Sequence, residues 1–261
     1  MAAQHRGPQA RLLWRAGGVH GVPAAYLHRR RPRLPPPLVK PYERLAEART
    51  PDGTVLSLVR HDGAYLIRAD GVELMSTRRH HSEDRLAELA CTPVATVAGA
   101  RALIGGLGLG FTLRAALGVL GADAEVVVAE LVAEVIAWNA DPAYGLSVDA
   151  LADPRVRVVH DDVGRVLRAN PAGFDAIMLD TDNGPDGMLL RENAPLYTAR
   201  GVVATVAALR PGGVLAYWSV ADDPGFARTL RHVGLQVETV RARAHVTSGP
   251  MHTLYVARRA G

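Results

Sequence analysis

Two hydrophobic rhythms divide the chain. Between Tyr42 and Ser76 the apolar residues come in short, partly β-branched runs. Thr54-Val-Leu-Ser-Leu-Val59 is followed by the turn signal Asp62-Gly63, a second run Ala64 to Arg68, the turn Asp70-Gly71 and a third run Val72 to Met75. This pattern predicts a three-stranded β meander, which is too small to be stable alone and so must pack on a larger body. Ser82 is placed to cap a helix over residues 83–90, with Glu83 and Asp84 in its first turn. From Ala102 onward the rhythm changes. Apolar runs of strand length, 102–104, 125–130, 156–160, 174–180 and 214–219, alternate with stretches of helical spacing at 111–120, 131–139, 163–169, about 200–209 and 224–233. Strands at 235–241 and 253–258 close the chain. Such alternation predicts a doubly wound α/β, Rossmann-like sheet behind a small N-terminal β meander.

The first strand of that sheet stops at four glycines, Gly105, Gly106, Gly108 and Gly110, before Leu113, Leu117 and Leu120 recur at helical spacing. Glycines at a strand-to-helix turn let a ligand approach the backbone and meet the free N–H groups of the helix. The second strand ends in Glu130, 24 residues after Gly106, near the spacing at which an acid takes ribose hydroxyls. Together the two features predict a nucleoside site. Asp161, Asp162 and Asp180 also fall at the carboxyl ends of predicted strands, where ligands of such sheets bind.

Composition narrows the classes. With 261 residues, 48% of them hydrophobic, the chain is long enough for a substantial core. No apolar run is long enough to cross a bilayer, since Arg101, Arg114 and the glycines interrupt the best candidate, so no membrane association is expected. Cys91 is the one cysteine, which removes a disulfide framework and suits a reducing, cytoplasmic location. His80 and His81 have no third ligand at recognisable spacing, and no metal is expected. Net charge is +4, but residues 1–42 carry eight basic groups and no acid, which leaves 22 basic against 26 acidic residues in the remainder. That proline-rich head, residues 1–41, reads as a solvated extension. A mildly acidic body argues against a nucleic-acid partner. The expected organisation is therefore this head, a meander with its linking helix at 42–92, and a catalytic domain at 93–261.

The ordered set of motifs resembles the spermidine synthase family of polyamine aminopropyltransferases, a branch of the class I S-adenosylmethionine-dependent methyltransferase fold. The set comprises the meander, Gly105-Gly-Leu-Gly-Leu-Gly110 with Thr112-Leu-Arg114, Glu130, Val159-His-Asp-Asp162, Leu179-Asp-Thr-Asp-Asn-Gly-Pro185, Leu196-Tyr197 and Leu209-Arg-Pro-Gly-Gly213. The resemblance implies that Glu130 holds the ribose and Asp162 the adenine amino group. It implies that Asp180 is the catalytic carboxylate beside the sulfonium, and that Asp182 and Tyr197 hold the amine substrate. It further implies decarboxylated S-adenosylmethionine as donor and a polyamine or other amine as acceptor, with no metal and with dimerisation left open. The chain departs from the family in three places: the glycine loop lacks its usual aspartate, the acidic loop is shorter, and Leu74 and Glu83-Asp84-Arg85 stand where Gln and Tyr-His-Glu are usual. Methyl transfer from intact S-adenosylmethionine and nucleoside binding without catalysis are the alternatives.

Overall fold

The computed structural model describes residues 40–181 and 191–260. A seven-stranded sheet forms its centre, in the order β10-β11-β9-β8-β5-β6-β7. The strands are β5 (Arg101–Gly105), β6 (Glu125–Glu130), β7 (Val156–His160), β8 (Phe174–Leu179), β9 (Leu209–Ser219), β10 (Gln236–Arg243) and β11 (Met251–Arg258). The five from β7 to β9 run parallel, and β11 is antiparallel to both β9 and β10. Successive side chains of a strand point to opposite faces. Ala102, Ile104, Val126, Val128 and Met178 therefore enter one core, and Leu103, Val127, Ile177 and Leu179 the other. Burial on both sides explains why these strands read as unbroken apolar runs.

The first face is covered by α1 (His81–Cys91), α2 (Phe111–Val119) and α3 (Ala133–Ala140), the second by α5 (Val163–Ala169), α6 (Ala199–Ala208) and α7 (Pro224–His232); a single turn, α4 (Val148–Leu151), precedes β7. Arg210-Pro-Gly-Gly213 follows the end of α6 at Ala208 and is the bulged lead-in of β9, paired with β8 through a register shift between Phe174 and Ala176.

The N-terminal sheet has four strands rather than three. The expected three are β2 (Val55–His61), β3 (Ala64–Ala69) and β4 (Val72–Ser76), and β1 (Glu43–Arg49) adds to the edge of β2. The sequence of β1, Glu-Arg-Leu-Ala-Glu-Ala-Arg, has one bulky apolar residue and four charges, as suits an exposed edge. Leu56, Leu58 and Ile67 enter the same core as α1 and the main sheet, so the described residues pack as one unit. Helix α1 also starts earlier than the sequence suggests. His80 occupies the capping position, and Ser82 has no exposed surface: its hydroxyl is occupied by core side chains rather than by the helix end. Among the described residues no helix is long and apolar enough to cross a membrane.

Candidate active site

The connection from β5 to α2 forms the floor of the site. Gly106 has φ +89°, and a Cβ there would collide with the carbonyl oxygen of Asp180. Gly110 has φ +75° and lies against Ser147 in the same way. Only glycine satisfies both the left-handed backbone and the close approach. The loop is held from behind: Asn139 Nδ2 donates to the Gly108 carbonyl at 2.7 Å, and the Ser147 hydroxyl donates to the Leu109 carbonyl at 3.0 Å. Its front faces a cavity of about 970 Å³, including the open mouth, at the carboxyl ends of β5, β6 and β8.

Glu130, at the end of β6, is buried and lines this cavity. Its Oε2 accepts the Leu107 N–H at 2.8 Å and its Oε1 accepts the Val132 N–H at 2.9 Å. The Leu131 and Gly108 N–H groups also act on this carboxylate, so backbone donors fix its orientation in the cavity wall. Burial raises the carboxyl above its ordinary range, while the backbone N–H groups pull it down. Asp162 caps α5, accepting the Arg165 N–H at 2.9 Å, and Asp161 Oδ1 accepts the Asp162 N–H at 2.8 Å. Both aspartates line the cavity beside Glu130.

Asp180 follows β8 on the opposite side of the glycine loop. Its backbone N–H donates to the Gly105 carbonyl at 3.0 Å, which locks the end of β8 to β5, and its Oδ2 accepts the Thr112 hydroxyl at 2.8 Å. The carboxyl keeps part of its surface open to the cavity but is shielded from bulk water, and burial pushes it up to about 6. A second acid stands close by. Glu83, in the first turn of α1, is 6% exposed, and burial together with the Asp180 charge pushes it up to about 8. Among the described residues neither acid has a basic partner.

The roof of the cavity comes from the N-terminal sheet. Leu56, Ile67, Leu74 and Met75 face the glycine loop, and the Met75 thioether occupies the space a Cβ on Gly108 would need. Trp218 lines the cavity from β9.

No family model matches the chain, and no curated protein matches it. Solved structures do. Spermidine synthase from Thermotoga maritima superposes with a TM-score of 0.66 over 84% of this chain and 73% of its own, at 18% identity. A spermidine synthase in complex with the transition state analogue AdoDATO gives 0.66 over 84% and 74%, at 19% identity. The fold is that of the spermidine synthases. A probable spermidine synthase from Corynebacterium glutamicum ATCC 13032 adds a TM-score of 0.57 over 82% and 79%, at 16% identity. On this spermidine synthase fold, six of the expected residues line one cavity: Gly106, Gly108, Glu130, Asp161, Asp162 and Asp180.

Gly105 lies just behind the cavity, where a Cβ would meet Leu179 and Val163, and Gly110 begins α2. Tyr197 does not line the cavity. It packs at 5.4 Å from Phe226 and 5.6 Å from Tyr217, in the core between α6 and α7. Asp182 lies outside the described residues. Glu83 and Thr112 are the acid and hydroxyl that sequence reasoning assigns no role. Glu83 had a readable signal, because the buried stripe of α1, Leu86, Ala87 and Ala90, extends back one turn onto Ser82 and Glu83.

Proposed function

We propose that the chain transfers an aminopropyl group from decarboxylated S-adenosylmethionine to a polyamine. The observation that carries this reading is the Asp180 carboxyl, which lines the cavity, with the buried acid Glu83 close by, neither having a basic partner among the described residues. Buried acids without a cation are costly, so such a site favours a ligand that brings positive charge. The donor brings a sulfonium and an ammonium, and the acceptor arrives as an ammonium ion.

Each residue has a definite task in this reading. Glu130 accepts hydrogen bonds from the ribose hydroxyls on the side of its carboxylate that lines the cavity. Asp162, with Asp161, receives the adenine amino group. Asp180 takes the proton of the incoming amine, whose nitrogen then attacks the carbon next to sulfur. The C–N bond forms, the C–S bond breaks, and its electron pair stays on sulfur to give neutral methylthioadenosine. The protein supplies position and a negative field, and Thr112 fixes the Asp180 carboxylate so that its second oxygen faces the reacting nitrogen. Asp182 stays in the proposal as a holder of the acceptor on sequence grounds alone. Tyr197 is not among the residues that line the cavity, and its place beside Asp182 likewise rests on the sequence resemblance.

A second reading rests on the roof. Leu56, Ile67, Leu74 and Met75 offer apolar surface, and the glycine loop carries no acid to grip an ammonium, which suits methyl transfer from intact S-adenosylmethionine to an acceptor with an apolar body. The two are separated by offering both donors with putrescine and spermidine and resolving the nucleoside products by mass spectrometry. Methylthioadenosine with an aminopropylated amine supports the first reading. S-adenosylhomocysteine with a methylated product supports the second, and nucleoside binding without turnover overturns both.

A further inference from the structure

Three buried groups meet at the hydroxyl of Ser82. Trp218 Nε1 lies 3.1 Å from Ser82 Oγ, His252 Nδ1 lies 2.9 Å from it, and the Glu83 carboxyl is hydrogen-bonded to it. A serine hydroxyl gives one hydrogen and accepts two, and the indole N–H can only donate, so Trp218 fills one lone pair. Two arrangements in which Glu83 engages this hydroxyl with its charge or with its own proton satisfy what remains. In the first, Ser82 donates to an ionised Glu83 and His252 Nδ1–H donates to Ser82. In the second, a protonated Glu83 donates to Ser82, and Ser82 donates to His252 Nδ1, whose proton sits on Nε2.

The surrounding charges separate the two. Glu83 faces Asp180 at the end of β8 and Asp84 on its own helix, both acids. The first arrangement therefore places two ionised carboxylates close together with no basic group bonded to either among the described residues, and the second only one. His252 faces Arg79 and Arg241, and burial with those charges holds it down to about 4, so its ring is neutral and able to accept.

We propose that Ser82 and His252 are positioning residues that hold the proton of Glu83, so that Glu83 stands neutral beside an ionised Asp180. The proposal rests on the reading of Asp180 as the base of the transfer and adds the device that leaves the base ionised. One negative charge, rather than two competing for a proton, then waits at the end of the cavity.

The test is a carboxyl titration of the full chain, labelled with 13C at its Asp and Glu carboxyls and followed by NMR, with the Glu83 signal assigned by its loss in Glu83→Gln. Glu83 is expected to titrate well above the ordinary carboxylate range. In Ser82→Ala its midpoint falls by a pH unit or more, a tenfold loss of proton affinity, because the acceptor of its proton is gone. The first arrangement requires the opposite sign, since there Ser82→Ala removes a donor from the carboxylate. His252→Leu lowers the midpoint likewise, and His252→Asn, which keeps an acceptor, restores it; this pair carries the test if Ser82→Ala does not fold. A wild-type midpoint in the ordinary range, or a midpoint unchanged or raised in the serine or leucine variant, overturns the proposal. The measurement needs no turnover, so failure of the transferase reading leaves it standing, and a negative titration in an active enzyme removes this proposal alone.

Discussion

Asp180 carries more of the proposed chemistry than any other side chain, and its surroundings state what a substitution does. Asn in its place keeps the shape and the Thr112 contact but supplies neither charge nor a useful proton acceptor. Asp180→Asn is expected to lower turnover by roughly 10²-fold or more while donor affinity, read by calorimetry, changes little. Wild-type turnover would reduce the Asp180 side chain to a structural partner of Thr112. Its pH dependence has a definite sign. The catalytic form is ionised, so transfer rises as pH passes about 6. Stability runs the other way. The folded chain holds protons on Asp180 and Glu83 more tightly than the unfolded chain, so their contribution is complete below pH 4 and is lost as pH rises through about 6 and then about 8. Glu83→Gln cannot ionise, and its melting temperature is expected to decline less than that of the wild type between pH 6 and 9. Parallel melting curves would show that Glu83 titrates alike in both states.

At the scale of elements, the turn from β5 into α2 is the part least tolerant of change. Gly106→Ala places a methyl group on a backbone with φ +89° and against the Asp180 carbonyl. The strained backbone alone costs roughly 1–3 kcal/mol. The expected outcome is a lower denaturation midpoint together with lost nucleoside binding, whereas a variant that binds normally would place the ligand away from the loop. This turn is legible in the sequence because its signals are local: four glycines between an apolar run and a helical repeat, then Glu130 at the end of the next strand. Asp161, Asp162 and Asp180 are legible for the same reason, as acids at strand ends. Strand β1 is not, because Glu43, Arg44, Glu47 and Arg49 give an edge strand the look of a solvated segment. Ser82 and Glu83 resemble an ordinary helix start, and their burial depends on Trp218 and His252, which only the packing of α1 on β9 and β11 brings near. Tyr197 illustrates the converse: its motif is recognisable, yet it packs in an aromatic core away from the cavity.

For the molecule as a whole, the sheet β1–β4 forms its hydrogen bonds within itself, and it touches the main body through side chains. Leu56, Ile67, Leu74 and Met75 therefore stand over the cavity as hydrocarbon with no backbone bonds to the strands beneath. In the proposed reading a nucleoside entering from the carboxyl ends of β5, β6 and β8 lies under them and strips water from that surface. Hydration of exposed hydrocarbon raises heat capacity, so its removal leaves a complex with a lower heat capacity than its parts. Calorimetric titration between about 10 and 35 °C is expected to show donor binding growing steadily more exothermic with temperature. A heat that stays constant would mean that the ligand never reaches the roof. The slope thus gauges how far the roof closes on the ligand, without reference to whether any bond in it is made or broken.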